Sequence, residues 1–596
     1  MKISYRAMRS IITVALFGLL APAAPKPAVR PAPKLTAEQR TAQAMLRSLN
    51  LHDRIAQMVI GVCYGDVPGA GTKEYIKFRH WVKDLRIGGF IMNNRVQYGL
   101  VRNAEPHAMA LFFNQMQKLS KTPLLIGGDF ERGSSMRVSD TIRFPFNMAF
   151  AAARDVEATR HQGLATAREA RALGVQWIFA PVADVNNNPQ NPVINIRSYG
   201  ENPDEVAQHV AAYIDGAHSD PKNVVLVSAK HFPGHGDTSI DSHLDLARVD
   251  ASRERMSEVE LKPFQAAIEH RVDSIMTAHL TVPSIEPENI PATVSRRVLT
   301  GLLREELGFK GLVVTDAMDM AGLAKQFASG EASVRAIEAG ADVLLMPPDP
   351  DAAIRAVMAA VARGRITRRR IDESVLRVLE AKIRVGLPKK KLVDLDTVSD
   401  ALDSDDEAER SQSVADRALT LVRNNGAVLP LSSPNQACLV VSAGIRLSSF
   451  GQRLAEEFRR RAPQARILFI DNSLPVAALD AVTGDVSACS ALVFATFTTS
   501  PMLGGDLPAY LEKLSESSTP VVLISFGSPY LLSGFPKVAA YIAAFSTATP
   551  SEVSVAKALL GQISITGHMP VTIPDFAQYG DGIQLPAKTQ SVPSAN

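Results

Sequence analysis

Eight short apolar runs, separated by longer amphipathic stretches, constrain the fold of this chain more than any other feature of its sequence. The runs do not alternate apolar with polar residues, which is typical of strands buried on both faces of a parallel sheet. Eight successive strand–helix units are what an α/β protein with a (β/α)₈ TIM-like barrel requires, and an open doubly wound sheet is the alternative. The candidate strands span residues 57–62, 88–94, 123–129, 175–184, 224–230, 274–280, 311–316 and 342–346.

A second, smaller α/β region follows this pattern. A helical pattern at 371–386 ends at Gly386, and charged blocks follow it at 389–391 and 403–409. We interpret these blocks as a solvated linker. Five further strand candidates predict a three-layer α/β/α sandwich: 438–443, 466–471, 491–497, 520–526 and 540–545.

The N-terminus has the pattern of an export signal. Basic residues precede the short apolar run 11–20, and small residues at 21–23 offer a cleavage site. Because the run is too short to span a bilayer, we expect an exported protein, periplasmic or extracellular, without stable membrane insertion after signal removal. A retained signal anchor is the alternative.

The predicted organisation has six parts. Thr36 and Gln39 have the spacing of a capping box that opens the first helix of the folded region. The parts are a signal peptide at 1–23, a proline-rich tether at 24–35, the barrel at 36–388, a charged linker at 389–412, the sandwich at 413–580 and an unstructured tail at 581–596.

Charge and cysteine content exclude several classes of protein. The 64 Lys and Arg residues nearly balance the 61 Asp and Glu residues in this chain of 596, for a formal charge of +3. A nucleic-acid binder would usually carry a strong basic excess. Cys63, Cys438 and Cys489 are too few for a disulfide framework or a four-cysteine zinc site.

The segment 230–243, KHFPGHGDTSIDSH, concentrates titratable residues directly after a candidate strand. In a barrel this position is the C-terminal mouth, where active sites lie. Other strand ends add polar side chains, and several of them converging on one rim indicate a catalytic site. These are Asp129, Glu131, Arg137, Asp184, Arg197, His279 and Asp316.

This segment resembles the signature of the β-N-acetylglucosaminidase branch of glycoside hydrolase family 3. The VVTDAM segment around Asp316 resembles the family's nucleophile strand, and 421–431 and 561–574 resemble landmarks of its C-terminal domain. The resemblance implies that Asp316 is the catalytic nucleophile and that Asp241 and His243 are the acid/base pair. It implies that five residues hold sugar hydroxyls: Asp129, Arg137, Arg197, Lys230 and His231.

One position departs from the family's pattern. The family commonly has D-x-E-G-G where this chain has Asp129-Phe130-Glu131-Arg132-Gly133. Arg137 keeps its spacing from Asp129, so its assignment is retained. The bulkier Arg132 changes the shape expected for that subsite.

The implied roles agree with the chemistry of retaining glycosidases, which need an anionic nucleophile and a proton donor near the leaving oxygen. Cationic neighbours such as Lys230 and Arg197 favour an ionised carboxylate. A histidine, with an intrinsic pKa of about 6.5, can donate and recover a proton near neutral pH. Asp241 would orient and charge-stabilise the His243 imidazole.

We therefore expect a retaining exo-β-N-acetylglucosaminidase that acts on oligosaccharides or muropeptides from peptidoglycan or chitin, with no cofactor and no metal. A family 3 β-glucosidase, β-xylosidase or β-N-acetylglucosaminide phosphorylase is the alternative within the family. A metal-dependent barrel hydrolase would use His231, His235, Asp237 and His243 as ligands. A non-catalytic wall-binding protein would not need both the nucleophile and the acid/base pair.

Overall fold

A computed structural model describes residues 35–588 of the chain, except 99, 403, 445–447 and 485. The predicted signal peptide and nearly all of the predicted tether lie outside the described residues. The first helix, Ala37–Ser48, has the predicted capping box: the Gln39 N–H donates to Thr36 Oγ1 at 3.1 Å, and the Thr36 N–H donates to Gln39 Oε1 at 3.0 Å.

The first domain is the predicted parallel eight-stranded barrel. Its strands are hydrogen-bonded in chain order, the last one pairs with the first, and a bridge between Val314 and Val343 closes the ring. Most strands are shorter than the sequence predicts. They are β1 (Val59–Cys63), β2 (Gly89–Met92), β3 (Leu125–Gly128), β4 (Trp177–Ile178), β5 (Leu226–Phe232), β6 (Ser274–Thr277), β7 (Leu312–Val314) and β8 (Leu344–Leu345).

Helices surround the barrel because each strand has one apolar face toward the axis and another toward the outer layer. Inside, Trp177 packs against Phe179 and donates its indole N–H to Ser274 Oγ at 2.8 Å, which satisfies its one polar atom. The surrounding helical segments include Leu51–Gln57, Lys73–His80, Trp81–Leu85, Pro106–Leu119, Asn147–Ala152, Val156–Ala172, Pro203–His218, Arg253–Glu258, Lys262–Glu269, Arg297–Glu306, Ala321–Ala324, Ser329–Ala339, Pro350–Ala362 and Arg368–Arg384.

The second domain is the predicted α/β/α sandwich around a six-stranded sheet. All of its neighbouring strands are parallel except β9, which pairs antiparallel to β14 and which the sequence analysis did not predict. The order is β9-β14-β13-β12-β10-β11, where the strands are β9 (Thr420–Asn424), β10 (Cys438–Ser442), β11 (Arg466–Ile470), β12 (Leu492–Thr496), β13 (Val521–Ser525) and β14 (Ala540–Ala543). Its main helices are Gln452–Arg461, Val476–Thr483, Leu507–Ser515 and Thr549–Leu559.

One disulfide joins Cys438 at the start of β10 to Cys489, and Cys63 is a buried free thiol. Among the described residues, none of the helices combines the length and the apolar character needed to cross a bilayer.

Two predicted segments have more regular structure than expected. Most of the second charged block, interpreted as a solvated linker, belongs to the helix Asp405–Ala418, with three acidic residues in its first turn and a buried face that includes Val414 and Ala418. Acidic side chains suit a helix N-terminus because they complement its partial positive charge. The predicted tail also begins too early, since Leu585 pairs with Ile565 and Ile583 donates its N–H to Leu421 O at 2.7 Å.

The two domains share a hydrophobic cluster. Met148, Ala149, Ala152 and Ile196 of the barrel are buried together with side chains of the second domain. Polar contacts reinforce this interface, since Glu201 accepts two hydrogen bonds from Thr572, at 2.7 Å from its N–H and 2.6 Å from its hydroxyl. Residues 195–201, which include Arg197, are therefore in direct contact with the second domain.

Candidate active site

Four charged side chains from three strand ends form a buried ion cluster at the C-terminal mouth of the barrel. We define it as Asp129, Glu131, Arg197 and Lys230. The Lys230 ammonium lies 2.8 Å from Asp129 Oδ1 and 2.7 Å from Glu131 Oε1. Arg197 donates to both oxygens of Glu131, at 2.9 and 2.7 Å, and Arg137 donates to Asp129 Oδ2 at 3.2 Å.

Charge pairing sets the ionisation of this cluster. Burial by itself would raise the pKa of Asp129 and Glu131, but Lys230 and Arg137 hold the pKa of Asp129 below its usual range. Arg197 and Lys230 hold the pKa of Glu131 well below its usual range. The same contacts raise the pKa of Lys230 despite its burial. All four groups therefore stay charged at neutral pH and form a fixed set of hydrogen-bonding groups at the barrel mouth.

His231 extends the cluster through a buried carboxylate. Arg197 Nη2 lies 3.3 Å from His231 Nε2, and His231 Nδ1 lies 2.6 Å from Asp184 Oδ2. Because a guanidinium can only donate, Nε2 accepts and Nδ1 carries the proton shared with Asp184. Burial would raise the pKa of Asp184, but His231 holds it below the usual range. In the sequence, Asp184 and Glu131 stand out only as acids near strand ends, and the family resemblance does not place them among the sugar-binding residues.

The loop after β5 is folded by close packing and a buried histidine. A Cβ on Gly236 would lie 1.6 Å from Val185 O, and Gly234 has a φ of +128°, so both positions require glycine. His235 Nε2 lies 2.8 Å from Ser242 Oγ, and its Nδ1 lies 3.0 Å from Thr238 Oγ1. Burial lowers the pKa of His235 to about 4, so it is neutral and structural.

The predicted acid/base pair is formed by the two residues on either side of Ser242. His243 Nδ1 lies 2.7 Å from Asp241 Oδ1, which also accepts the His243 N–H at 2.9 Å. The His243 side chain is 56% exposed. Since Asp241 holds Nδ1, the nitrogen left to exchange a proton with a ligand is Nε2.

Asp316 follows β7 on the same rim. Its Oδ1 accepts the Ala317 N–H at 2.7 Å, and among the described residues Oδ2 has no hydrogen-bond donor. Buried His279 donates to or accepts from Thr293 at 2.8 Å and lies 3.0 Å from Ala317 O, which supports the turn. Partial burial and the Asp316 carboxylate raise the pKa of nearby Asp319.

Arg132, where this chain departs from the family's pattern, takes no part in the hydrogen bonds of the buried ion cluster and packs against Phe146. Its guanidinium carbon lies 4.9 Å from the centre of the Phe146 ring. Burial and the neighbouring Arg137 lower the pKa of Arg132 to about 10. The extra side chain thus fills space beside the helix Asn147–Ala152 at the domain interface.

The turn that carries Arg197 is held by the second domain. Asn195, a buried residue with a φ of +41°, donates to Thr499 O at 2.9 Å and to Ser528 Oγ at 3.2 Å. Asn147 donates to Arg197 O at 2.7 Å. The second domain thus positions a residue of the cluster, a connection that no sequence pattern indicated.

The structure brings the predicted sugar-binding residues together and places Asp316, Asp241 and His243 on the same rim. It does not assemble the alternative metal site. His231 bonds Asp184, His235 bonds Ser242 and Thr238, Asp237 lies 3.9 Å from Arg255, and His243 bonds Asp241. Within the part of the chain that the structure describes, no three His, Cys, Asp or Glu side chains are grouped as metal ligands.

Comparisons with known proteins agree with this geometry. The β-N-acetylglucosaminidase/β-glucosidase of Cellulomonas fimi is 28% identical over 562 residues, which cover 88% of this chain and 94% of that protein. A glycoside hydrolase family 3 β-N-acetylglucosaminidase from Paenibacillus sp. superposes with a TM-score of 0.79 at 32% identity, covering 88% of this chain and 99% of that one. The β-glucoside phosphorylase BglX superposes with a TM-score of 0.77 at 26% identity, covering 91% and 97%.

The match to a family model, which lies in the barrel domain, shows the family. The family model described as the glycosyl hydrolase family 3 N-terminal domain matches residues 50–381, which include every residue of the candidate site. With its barrel, its second domain and these residues at the barrel mouth, the chain belongs to glycoside hydrolase family 3.

Proposed function

We propose that this enzyme is a retaining exo-β-N-acetylglucosaminidase that removes non-reducing-end N-acetylglucosamine through a glycosyl-enzyme intermediate. The observation that carries the proposal is the Asp241–His243 pair, bonded at 2.7 Å on the loop after β5. This pair is the feature by which the sequence resembles the N-acetylglucosaminidase branch. Relatives and a solved structure that bear this activity in their names cover most of the chain.

In the proposed reaction each of these residues has a defined role. The buried ion cluster, Arg137 and His231 hold the hydroxyls of the terminal sugar. Asp316 Oδ2 attacks the anomeric carbon and forms an ester bond as the bond to the leaving oxygen breaks, and His243 Nε2 supplies the proton to that oxygen. In the second step Nε2 takes a proton from water, the water oxygen bonds to the anomeric carbon, and the ester breaks.

Asp241 makes the histidine a usable acid and base. A carboxylate on Nδ1 fixes the ring orientation and stabilises the imidazolium that forms when Nε2 takes up a proton. Because His243 is largely exposed, water can replace the leaving group between the two steps without a further rearrangement of the buried ion cluster.

The substrate preference is the direct test. We expect kcat/KM for an aryl N-acetyl-β-glucosaminide to exceed that for the matching β-glucoside at least about tenfold, or about 1.4 kcal/mol. Equal values on both substrates would instead favour a broad family 3 glycosidase.

A phosphorylase is the second candidate, because the superposed BglX structure is named a β-glucoside phosphorylase. A neutral or cationic acid/base group does not repel an anionic acceptor as a carboxylate would. Turnover with and without inorganic phosphate, with the product tested for sugar 1-phosphate, separates the two reactions.

Export and a cell-wall or chitin-derived substrate are part of the same proposal. The N-terminal pattern supports export, and so does the Cys438–Cys489 disulfide, because disulfides persist mainly in oxidising compartments. N-terminal sequencing of the protein recovered from the periplasm or medium tests this, together with release of N-acetylglucosamine from muropeptides and chitin fragments. Protein retained in the cytoplasm with its N-terminus intact would contradict it.

A further inference from the structure

The four most exposed large hydrophobic side chains among the described residues lie on three loops that adjoin the candidate site. They are Tyr98 at 77%, Leu244 at 70%, Val96 at 69% and Met502 at 67% exposure. Exposing a group of apolar side chains to water costs free energy, so such a group usually contacts a ligand or a partner. We refer to these four residues as the apolar rim.

Val96 and Tyr98 lie on a hairpin formed by Arg95–Gln97 and Leu100–Arg102, directly after β2. The root of the hairpin is tied to the sugar-binding residues, because Asn94 donates to Arg102 O at 2.9 Å and to Arg137 O at 2.8 Å. Arg137 in turn bonds Asp129 of the buried ion cluster. The hairpin therefore rises from the edge of the site.

The other two residues, Leu244 and Met502, belong to the loop after β5 and to the second domain. Leu244 directly follows the acid/base residue His243, and its carbonyl accepts a hydrogen bond from Lys325 at 2.7 Å. Met502 belongs to the second domain, three residues after Thr499, whose carbonyl holds the Arg197 turn through Asn195. Two domains and three loops thus contribute exposed apolar side chains from segments that adjoin residues of the candidate site.

The contrast in polarity indicates what these side chains bind. The base of the site is charged and buried, which suits the hydroxyls of the sugar that is cleaved off. The rim is apolar and open, and it includes the residue next to the proton donor of the leaving oxygen. An aromatic ring and aliphatic side chains pack against the C–H face of a sugar ring and against an acetamido methyl group.

We infer that the apolar rim is the binding site for the leaving group, and that its ligand is a second sugar ring bearing an N-acetyl group. This inference rests on the proposed function. It makes Tyr98, Val96, Leu244 and Met502 determinants of chain-length preference, with Tyr98 the largest contributor.

The test compares two substrates that need the same proton donation and differ in the leaving group. N,N′-diacetylchitobiose places a sugar ring on the rim, whereas methyl N-acetyl-β-glucosaminide places only a methyl group there. Tyr98→Asn removes the ring and suits the left-handed backbone at this position, where φ is +53°. We expect the ratio of kcat/KM, disaccharide over methyl glycoside, to fall about three- to tenfold. Leu244→Ser and Met502→Ser should each lower it by a smaller factor.

Phe469→Asn is the matched control, because Phe469 is an aromatic residue that is 37% exposed on β11, the edge strand of the second domain. It should leave the ratio at the wild-type value. A wild-type ratio in Tyr98→Asn would overturn the inference and assign the rim to another partner. If the enzyme prefers β-glucosides, the proposed function fails, and the same ratio measured with cellobiose and methyl β-glucoside still tests the rim.

Discussion

The two halves of the candidate site differ in how firmly they are held. The Lys230 and Glu131 side chains of the buried ion cluster are 3% and 4% exposed, those of Asp129 and Arg197 are 20% exposed, and every charge in the cluster is paired within 3 Å. The reacting groups have few contacts: Asp316 accepts one backbone N–H, and His243 is exposed with Asp241 as its partner. Under the proposed function, recognition of the sugar is therefore built into the core of the barrel, whereas proton transfer is carried by an exposed loop.

The largest expected effect lies on the reacting side. Asp316→Asn should lower turnover on the order of 10³-fold or more, because an amide cannot form the glycosyl-enzyme ester. Binding of N-acetylglucosamine, measured by calorimetry, should persist because the buried ion cluster is intact. Asp319→Asn is the control and should keep most of the activity. A reversed result would move the nucleophile to Asp319.

The second test removes the proton donor. His243→Ala should slow cleavage of diacetylchitobiose about 10² to 10⁴-fold, the usual contribution of general acid catalysis. A nitrophenyl substrate needs little protonation, so its first step should suffer far less, and azide should restore the second step. The melting temperature should not change, because the side chain is exposed.

The chain provides a matched control for this variant. Glu105 and His107 form the same acid-x-histidine arrangement on the surface, with Nδ1 3.2 Å from the carboxylate. His107→Ala should leave both substrates unaffected. If His243→Ala slows both substrates equally and azide has no effect, His243 binds substrate and does not transfer a proton.

The third test removes one charge from the buried ion cluster. Glu131→Gln leaves Arg197 and Lys230 partly uncompensated in the core, so the free energy of unfolding should fall by about 3 kcal/mol. The folded-state pKa of Glu131 is depressed, so its contribution is present above the unfolded pKa of about 4.3 and is lost as pH falls through the lower folded value. Denaturation at neutral and acid pH measures both effects.

The control for this variant is a surface carboxylate with two arginine partners. Glu331 bonds Arg335 and Arg365, and exposed pairs of this kind contribute at most about 1 kcal/mol. Glu331→Gln should therefore change stability little. Equal losses in both variants would show that burial does not distinguish the cluster.

The smallest effect concerns a buried cation that lacks a carboxylate. The Lys382 ammonium donates to Gln57 Oε1 at 2.6 Å and Gly88 O at 2.8 Å, and burial lowers its pKa to about 7. Between pH 7 and the unfolded pKa of about 10.4, the unfolded chain binds more protons, so stability rises with pH. From pH 7 to 9 the wild type should gain about 2 kcal/mol relative to Lys382→Met. Parallel stability curves would contradict this.

The barrel and much of the site could be predicted because their signals are local. Each βα unit repeats one pattern, and a strand end such as Asp129 or Asp316 is located by the apolar run before it. Strand β9 was missed because its residues 420–424 pair antiparallel at a sheet edge and lack the long apolar run of the central strands. The acidic block at 403–409 was misread because high charge is typical both of linkers and of the first turn of a helix.

By itself, the sequence determined which residues stand at the ends of the strands, and the segment 230–243 indicated the family and its chemistry. Only the tertiary structure decided which of these residues form ion pairs or hydrogen bonds with one another. Glu131, Asp184 and Asn195 act through partners 66, 47 and 304 residues away in the chain. The pKa of a buried acid depends on every charge within a few ångströms, and for Glu131 and Asp184 the charges that lower it come from distant parts of the chain, so this part of the site exists only once the barrel is closed and the second domain is in place.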